Sequence, residues 1–289
     1  MYIIKVLGVK IKLNLLFLVV ILVFGYFHLL DKAIITFGSA FLHELTHVAV
    51  AKSNDIGIDE VELLPFGGVA KYNDLLELDP EVEIKTAIAG PFCNLFLAVV
   101  MVICLRYSFF KIEWGLFFIK TNFVIAFFNL FPALPLDGGR IFRAFKTMEL
   151  GFRQATKLTI QLSKYLAIAI GILALIGIWL GYFNIILLII AFFIYTSTSK
   201  ENRNNIYVLM RYLTRKKRQL KERKILRNEE LVVIETTKIK DIIEKFKPKF
   251  FHTIVVVDNN LNIIVTLTEE EIITALLERG INSQIKELI

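Results

Sequence analysis

Cysteine is nearly absent: Cys93 and Cys104 are the only two in 289 residues. Both fall in one apolar run, with no C-x-x-C spacing and no histidine beside them. That excludes a disulfide framework and a thiolate zinc site, and leaves two small buried apolar side chains. A small-residue cleavage site is also missing before the second apolar run, so the first run reads as a retained helix and not as a removed leader. Net positive charge is confined to one block. Residues 200–227 hold eleven Lys/Arg against two Glu, a local charge of +9 in a chain of net +7, so the remainder sums to −2. The block begins where the last apolar run ends. Its expected partner is an anionic membrane surface, and no nucleic acid is expected.

Apolar residues are what the chain has in abundance. A hydrophobic share of 56% and a mean hydropathy of +0.62 exceed what a soluble domain needs. Apolar runs near 13–30, 34–51, 84–105, 114–131, 162–180 and 182–197 approach or reach the length of a bilayer crossing. The expected fold is an α-helical polytopic membrane protein with six transmembrane helices and a membrane-associated hairpin loop, followed by a small cytoplasmic α/β domain. Its divisions are a six-span domain over 1–198, a basic amphipathic linker over 199–228, and the soluble domain over 229–289. Lys5, Lys10 and Lys12 precede the first run, six Lys/Arg lie between Arg140 and Lys164, and the basic block follows the sixth run. The opposite loops hold only Lys32, Arg106 and Lys111, so the charge bias places both termini in the cytoplasm.

The chemistry concentrates in Phe41-Leu-His-Glu-Leu-Thr-His-Val48. On a helix, His43 and His47 share one face at i and i+4, and their imidazoles converge on a point that suits one Zn2+ ion. Such a metal lowers the pKa of a coordinated water to about 7, and Glu44 lies beside it as the candidate base. Chance occurrence and a pair of buried structural histidines are the bland alternatives. They are harder to arrange in hydrocarbon, where every polar group needs a partner. His28, alone near the end of the first run, reads as an interfacial residue.

A catalytic zinc takes three protein ligands and leaves one position open. Asn129-Leu-Phe-Pro-Ala-Leu-Pro-Leu-Asp-Gly-Gly-Arg140 closes the fourth run, with Pro132 and Pro135 preventing a regular helix and Gly138-Gly139 relaxing the backbone. Asp137 stands there at the membrane boundary, on the side reached by the Lys52 end of the second run, and completes the set His43, His47, Asp137. Asn129 is a candidate to orient a peptide or an oxyanion, or else to bond a neighbouring helix. In Leu63-Leu-Pro-Phe-Gly-Gly68, Gly67 and Gly68 suit a tight hairpin turn. That hairpin is an ordinary loop, or one that dips into the bilayer and takes substrate as an added strand at Phe66, Gly67 and Gly68, with Pro135 as a separate candidate substrate contact. Gly90, Pro91 and Asn94, in the third run, read as packing residues, and Asn94 is also placed to hydrogen-bond across to a neighbouring span.

After residue 228 the pattern is that of a soluble domain. Strands are expected near 231–235, 253–257 and 261–267, and a helix near 239–246. A second helix, capped by Thr268 with Glu271 in a capping box, runs to Arg279. About 60 residues bury a modest core, which favours docking or self-association. His252 reads as structural.

Taken together, His-Glu-Leu-Thr-His, Pro-Phe-Gly-Gly, Ala-Gly-Pro-x-x-Asn and Asn-x-x-Pro-x-x-Pro-Leu-Asp-Gly-Gly resemble the site-2 protease family of intramembrane zinc metalloproteases, and look most similar to its sporulation branch. The resemblance implies that His43, His47 and Asp137 bind zinc and that Glu44 is the catalytic base. It implies a membrane-associated sigma-factor precursor as substrate, small membrane inhibitor proteins, and the outer forespore membrane of a sporulating bacterium with the cytoplasmic side facing the mother cell. The tail resembles a single cystathionine-β-synthase (CBS) repeat, which implies ATP or another adenine nucleotide as ligand and a homo-oligomer, although no phosphate-binding motif is visible. Two rivals remain at this point. A metal transporter needs more polar residues in the fifth and sixth runs, and a non-proteolytic metal-binding regulator with a ligand-sensing tail has no use for Glu44.

Overall fold

The computed structural model describes residues 2–6, 9–13, 15–54, 56–64, 67–72, 79–181, 185–201, 224–247, 250–280 and 283–288. They fall into two compact units, residues 1–76 with 81–141, and 77–80 with 142–289.

The first unit contains β1 (Tyr2–Val6), β2 (Val9–Leu13), α1 (Leu15–Tyr26), α2 (Leu30–Ser53), β3 (Ile58–Leu64), β4 (Gly67–Tyr72), α3 (Pro80–Arg106) and α4 (Ile112–Asn129). The strands form one sheet in the order β1-β2-β3-β4. Parallel strands cannot be joined by a tight turn, and the β2–β3 pair is parallel because α1 and α2 form the crossover between them. The alternation Val9-Lys-Ile-Lys-Leu13 has the strand period, yet the expected fold treated these lysines only as flanks of the first helix. The hairpin is likewise part of a sheet. Gly67 and Gly68 do not form its turn. They open β4, opposite Leu64 and Leu63. The connection is residues 65–66, so Phe66 lies outside the described residues. β4 packs against α2 and ends the sheet order.

Among the described residues, three helices are long and apolar enough to cross a membrane: α2, α3 and α6 (Phe152–Trp179). Their outward faces are apolar, as are those of shorter helices: Phe92 and Phe96 on α3, Phe127 on α4 and Trp179 on α6 are all exposed. Such surfaces suit lipid and not water, and the chain is an integral membrane protein. α3 continues helically through Pro91 to Arg106. α4 stops at Asn129, and turns occupy residues 130–136 before α5 (Asp137–Leu150) starts.

The second unit holds the remainder of α5, then α6, α7 (Ile185–Glu201) and the tail. α6 begins ten residues before the expected span. It packs along α7 and buries Ala155, Thr159, Ser163 and Ala167, a four-residue repeat of small side chains that permits close helix approach. The hydroxyls of Thr156, Thr159 and Ser163 donate back to carbonyls of their own helix at 2.7–2.8 Å, so they are satisfied locally.

The tail contains β5 (Arg227–Ile234), α8 (Ile239–Ile243), β6 (Phe250–Val257), β7 (Ile263–Thr268) and α9 (Glu269–Arg279). Its sheet runs β5-β6-β7, the first pair parallel and the second antiparallel. Ile239, Ile242, Ile254, Val256, Ile272 and Ile273 form the core. The Thr268–Glu271 capping box forms at the start of α9. His252 is fully buried, bonded to Glu269 and accepting the Lys247 N–H at 3.2 Å. The tail meets α6 at Glu244, which accepts from Lys157 Nζ at 2.7 Å and lies 3.5 Å from Arg153 Nε. Burial pushes the Glu244 carboxyl up, but these two cations outweigh it and hold the group below its ordinary value. Gly151, at φ +83°, is the corner before α6, and a Cβ there would lie 2.6 Å from the Phe246 carbonyl oxygen. Most of the basic linker, residues 202–223, lies outside the described residues.

Candidate metal centre

Helical spacing brings His43 and His47 together on the buried face of α2, with ring centroids 4.6 Å apart. The third member arrives from the first residue of α5. Asp137 Oδ2 lies 3.1 Å from Nε2 of each histidine, while its Oδ1 lies 3.5 Å from Arg140 Nη1. All three residues are buried, at 3%, 2% and 5% exposure, and one ligand atom from each falls within 4.8 Å of the others.

The far side of each ring is tied to an acceptor. His43 Nδ1 is 2.5 Å from Asn94 Oδ1 on α3, and His47 Nδ1 is 2.6 Å from the Thr86 carbonyl oxygen, also on α3. A carbonyl cannot donate, so each Nδ1 carries the proton. Each neutral imidazole then turns a bare lone pair at Nε2 toward the Asp137 carboxylate. Three electron-pair donors meet with no proton among them, an arrangement that repels itself unless a cation sits there. Two imidazoles and one carboxylate suit Zn2+, and three ligands leave an open position. The residues present therefore fit the metal.

Room for it comes from Gly90. A Cβ built there would stand 2.4 Å from His47 Nε2 and 2.6 Å from His43 Nε2. Gly138 and Gly139 also work by clearance. They are helical residues of α5, not a relaxed turn, and a Cβ on either would strike backbone of residues 130–134 at 2.1–2.4 Å. Their absence of side chains lets the start of α5 nest against the turn segment that delivers Asp137.

Glu44 is half-buried and adjoins this cluster on α2, and none of the described residues hydrogen-bonds it. Asn129 is elsewhere: its amide donates to the Ile125 carbonyl of its own helix at 3.0 Å, and no hydrogen bond links it to His43, His47 or Asp137. Pro135 is exposed. Asn94 does bond a neighbouring span, as its sequence position allows, but nothing local names His43 as its partner. Gly90 and Thr86 are not legible as neighbours of the rings, and Ala-Gly-Pro-x-x-Asn is the available signal.

The family model for peptidase family M50 matches residues 32–113, which include His43, Glu44, His47 and Gly90. Zinc metalloprotease MJ0392 of Methanocaldococcus jannaschii is 31% identical over 209 residues, covering 69% of this chain and 59% of that protein. Stage IV sporulation protein FB of Bacillus subtilis is 27% identical over 249 residues, covering 86% and 85%. Among solved structures, the site-2 protease from M. jannaschii superposes with a TM-score of 0.55 at 31% identity, over 70% of this chain and 95% of that one. The chain belongs to the site-2 protease family. The family is one of zinc metalloproteases, which agrees with the donor set at His43, His47 and Asp137. The chain spans 59% of the length of the first of these relatives.

Proposed function

We propose that this protein is an intramembrane zinc endopeptidase that cleaves a membrane-associated protein precursor near the cytoplasmic face. The convergence of three buried lone-pair donors beside Glu44 carries the reading. His43, His47 and Asp137 would hold zinc, whose contribution when bound is Lewis acidity at the scissile carbonyl and at the attacking water. Glu44 accepts the water's proton and delivers it to the leaving amine, as a general base and then acid. Arg140, against the second oxygen of Asp137, keeps that carboxylate oriented. A helical substrate hides its carbonyls in hydrogen bonds and must unwind before it is cut. β4 ends the sheet and packs on α2, which supports its role as a template for an extended peptide, with Gly67 and Gly68 at the start of the strand. Asn129, Phe66 and Pro135 would contact the substrate.

The finer reading rests on the motifs and on the similarity to stage IV sporulation protein FB. It comprises six spans with both termini cytoplasmic, a sporulation sigma-factor precursor as substrate, the outer forespore membrane as location, and small membrane inhibitors. The tail would be a CBS-like domain that binds an adenine nucleotide and mediates homo-oligomer formation, and the basic linker would lie on anionic lipid.

Co-expression with a sigma-factor precursor tests the activity. The unaltered chain should shorten the precursor, while Glu44→Gln and Asp137→Ala should not. Zinc should remain in Glu44→Gln and be lost from Asp137→Ala. Cleavage that survives Glu44→Gln would refute the proposal.

A further inference from the structure

The two histidines are oriented by different means. His47 meets a backbone carbonyl, which offers only an acceptor. His43 meets a side-chain amide, which offers an acceptor at one end and a donor at the other. If the Asn94 amide turned over, its NH2 would face Nδ1. The ring would then carry its proton on Nε2, where a ligand lone pair is required. Something must hold the amide one way round, and α4 provides it.

Asn94 Nδ2 lies 2.7 Å from Asn122 Oδ1, and Asn122 Nδ2 lies 3.0 Å from both Ser39 Oγ and the Phe118 carbonyl oxygen. Asn94, Asn122 and Ser39 are all buried. Which amide atom is oxygen and which nitrogen follows from the network. The Phe118 carbonyl only accepts, so Asn122 must turn its NH2 to it. That leaves Asn122 Oδ1 to accept from the NH2 of Asn94. Asn94 Oδ1 is then directed at His43, whose Nδ1 must donate. The Ser39 carbonyl, 3.5 Å from Asn94 Nδ2, favours the same direction. A backbone carbonyl on α4 thus determines, through two amides, which nitrogen of a ring on α2 is bare.

We infer that Asn122 and Asn94 are positioning residues that fix the tautomer of His43, with Asn122 setting the direction of the chain. This rests on the reading of His43 as a metal ligand. Outer partners of metal-bound histidines are worth about 10- to 100-fold in affinity. The sequence offered no sign of Asn122, which sits inside an apolar run without a motif.

The test is a two-by-two comparison of zinc affinity, by chelator competition on the full chain in detergent. Asn122→Leu removes the lock and should weaken zinc binding about 10-fold. Asn94→Asp presents an acceptor whichever way it turns, so Asn122→Leu in that background should change affinity less than about 3-fold. A merely structural role for Asn122 would weaken both backgrounds alike, and that result overturns the inference. So does unchanged affinity in Asn122→Leu alone. If the leucine variant does not fold, Asn122→Ser in the same two backgrounds makes the comparison. Asp137→Ala separates the two readings. Zinc binding that depends on Asp137 but is indifferent to Asn122 sinks the inference alone. No zinc in the unaltered chain sinks the metal centre and the inference together.

Discussion

Replacing Gly90 by alanine separates helix preference from site geometry. In the interior of an isolated helix that change favours the helix by about 1 kcal/mol. Here the new Cβ would stand 2.4 Å and 2.5 Å from Nε2 and Cε1 of His47 and 2.6 Å from Nε2 of His43, where ordinary contact begins at 3.4 Å. One of the two helices, or both rings, must move by about 1 Å. The rings cannot swing freely. Moving His47 strains its 2.6 Å bond to the Thr86 carbonyl, and moving His43 disturbs its bond to Asn94. Overpacking of this kind costs about 1–3 kcal/mol, more than the helix gains. A displacement of about 1 Å among reacting groups costs about 100-fold in rate. Gly90→Ala should therefore lose most of its bound zinc and at least about 100-fold in precursor cleavage, while remaining helical. Gly38→Ala on α2, where nothing among the described residues lies within 4 Å of the new Cβ, is the control and should keep both. Zinc by atomic emission and cleavage by product size are the assays. Full zinc content with cleavage within about threefold of the unaltered chain would refute the clearance argument.

Chelation should stop cleavage, and added Zn2+ should restore it; activity that persists in a chelator strong enough to strip the protein would contradict a metal role for His43, His47 and Asp137. Gly67→Pro removes a backbone N–H from β4, and it should reduce substrate binding and cleavage if the strand templates the peptide; unchanged cleavage would mean that β4 serves only the sheet. Thr268→Ala should destabilise the tail by about 1 kcal/mol, read as faster amide exchange in the first turn of α9. Glu271 in that cap is held below its ordinary value by the Thr268 N–H and hydroxyl, so its contribution is present above about pH 4.5 and is lost as pH falls through the lower folded value. Exchange in Glu271→Gln should lack that acid-dependent step.

Features that depend on local spacing were legible along the chain. Two histidines four apart share a helix face wherever the helix lies, so His43 and His47 were legible as a pair, with Glu44 beside them. Prolines 132 and 135 ended α4 because they cannot continue a helix, and Thr268 with Glu271 marked the start of α9. Apolar run length located α2, α3 and α6 to within a few residues at most of their ends, except at the start of α6. Its first turns are polar because they face the tail at Glu244.

Features that depend on partners distant in the chain emerge with folding alone. The pairing of β2 with β3 across two helices escaped the reading, since strand period alone names no partner. Phe118, Asn122, Asn94 and Ser39 lie on three helices, and nothing local says that their polar atoms meet. The same holds for Gly90, whose value lies in an atom it does not have. A glycine beside a proline in a helix looks like a packing device until the imidazoles of another helix stand where its Cβ would be.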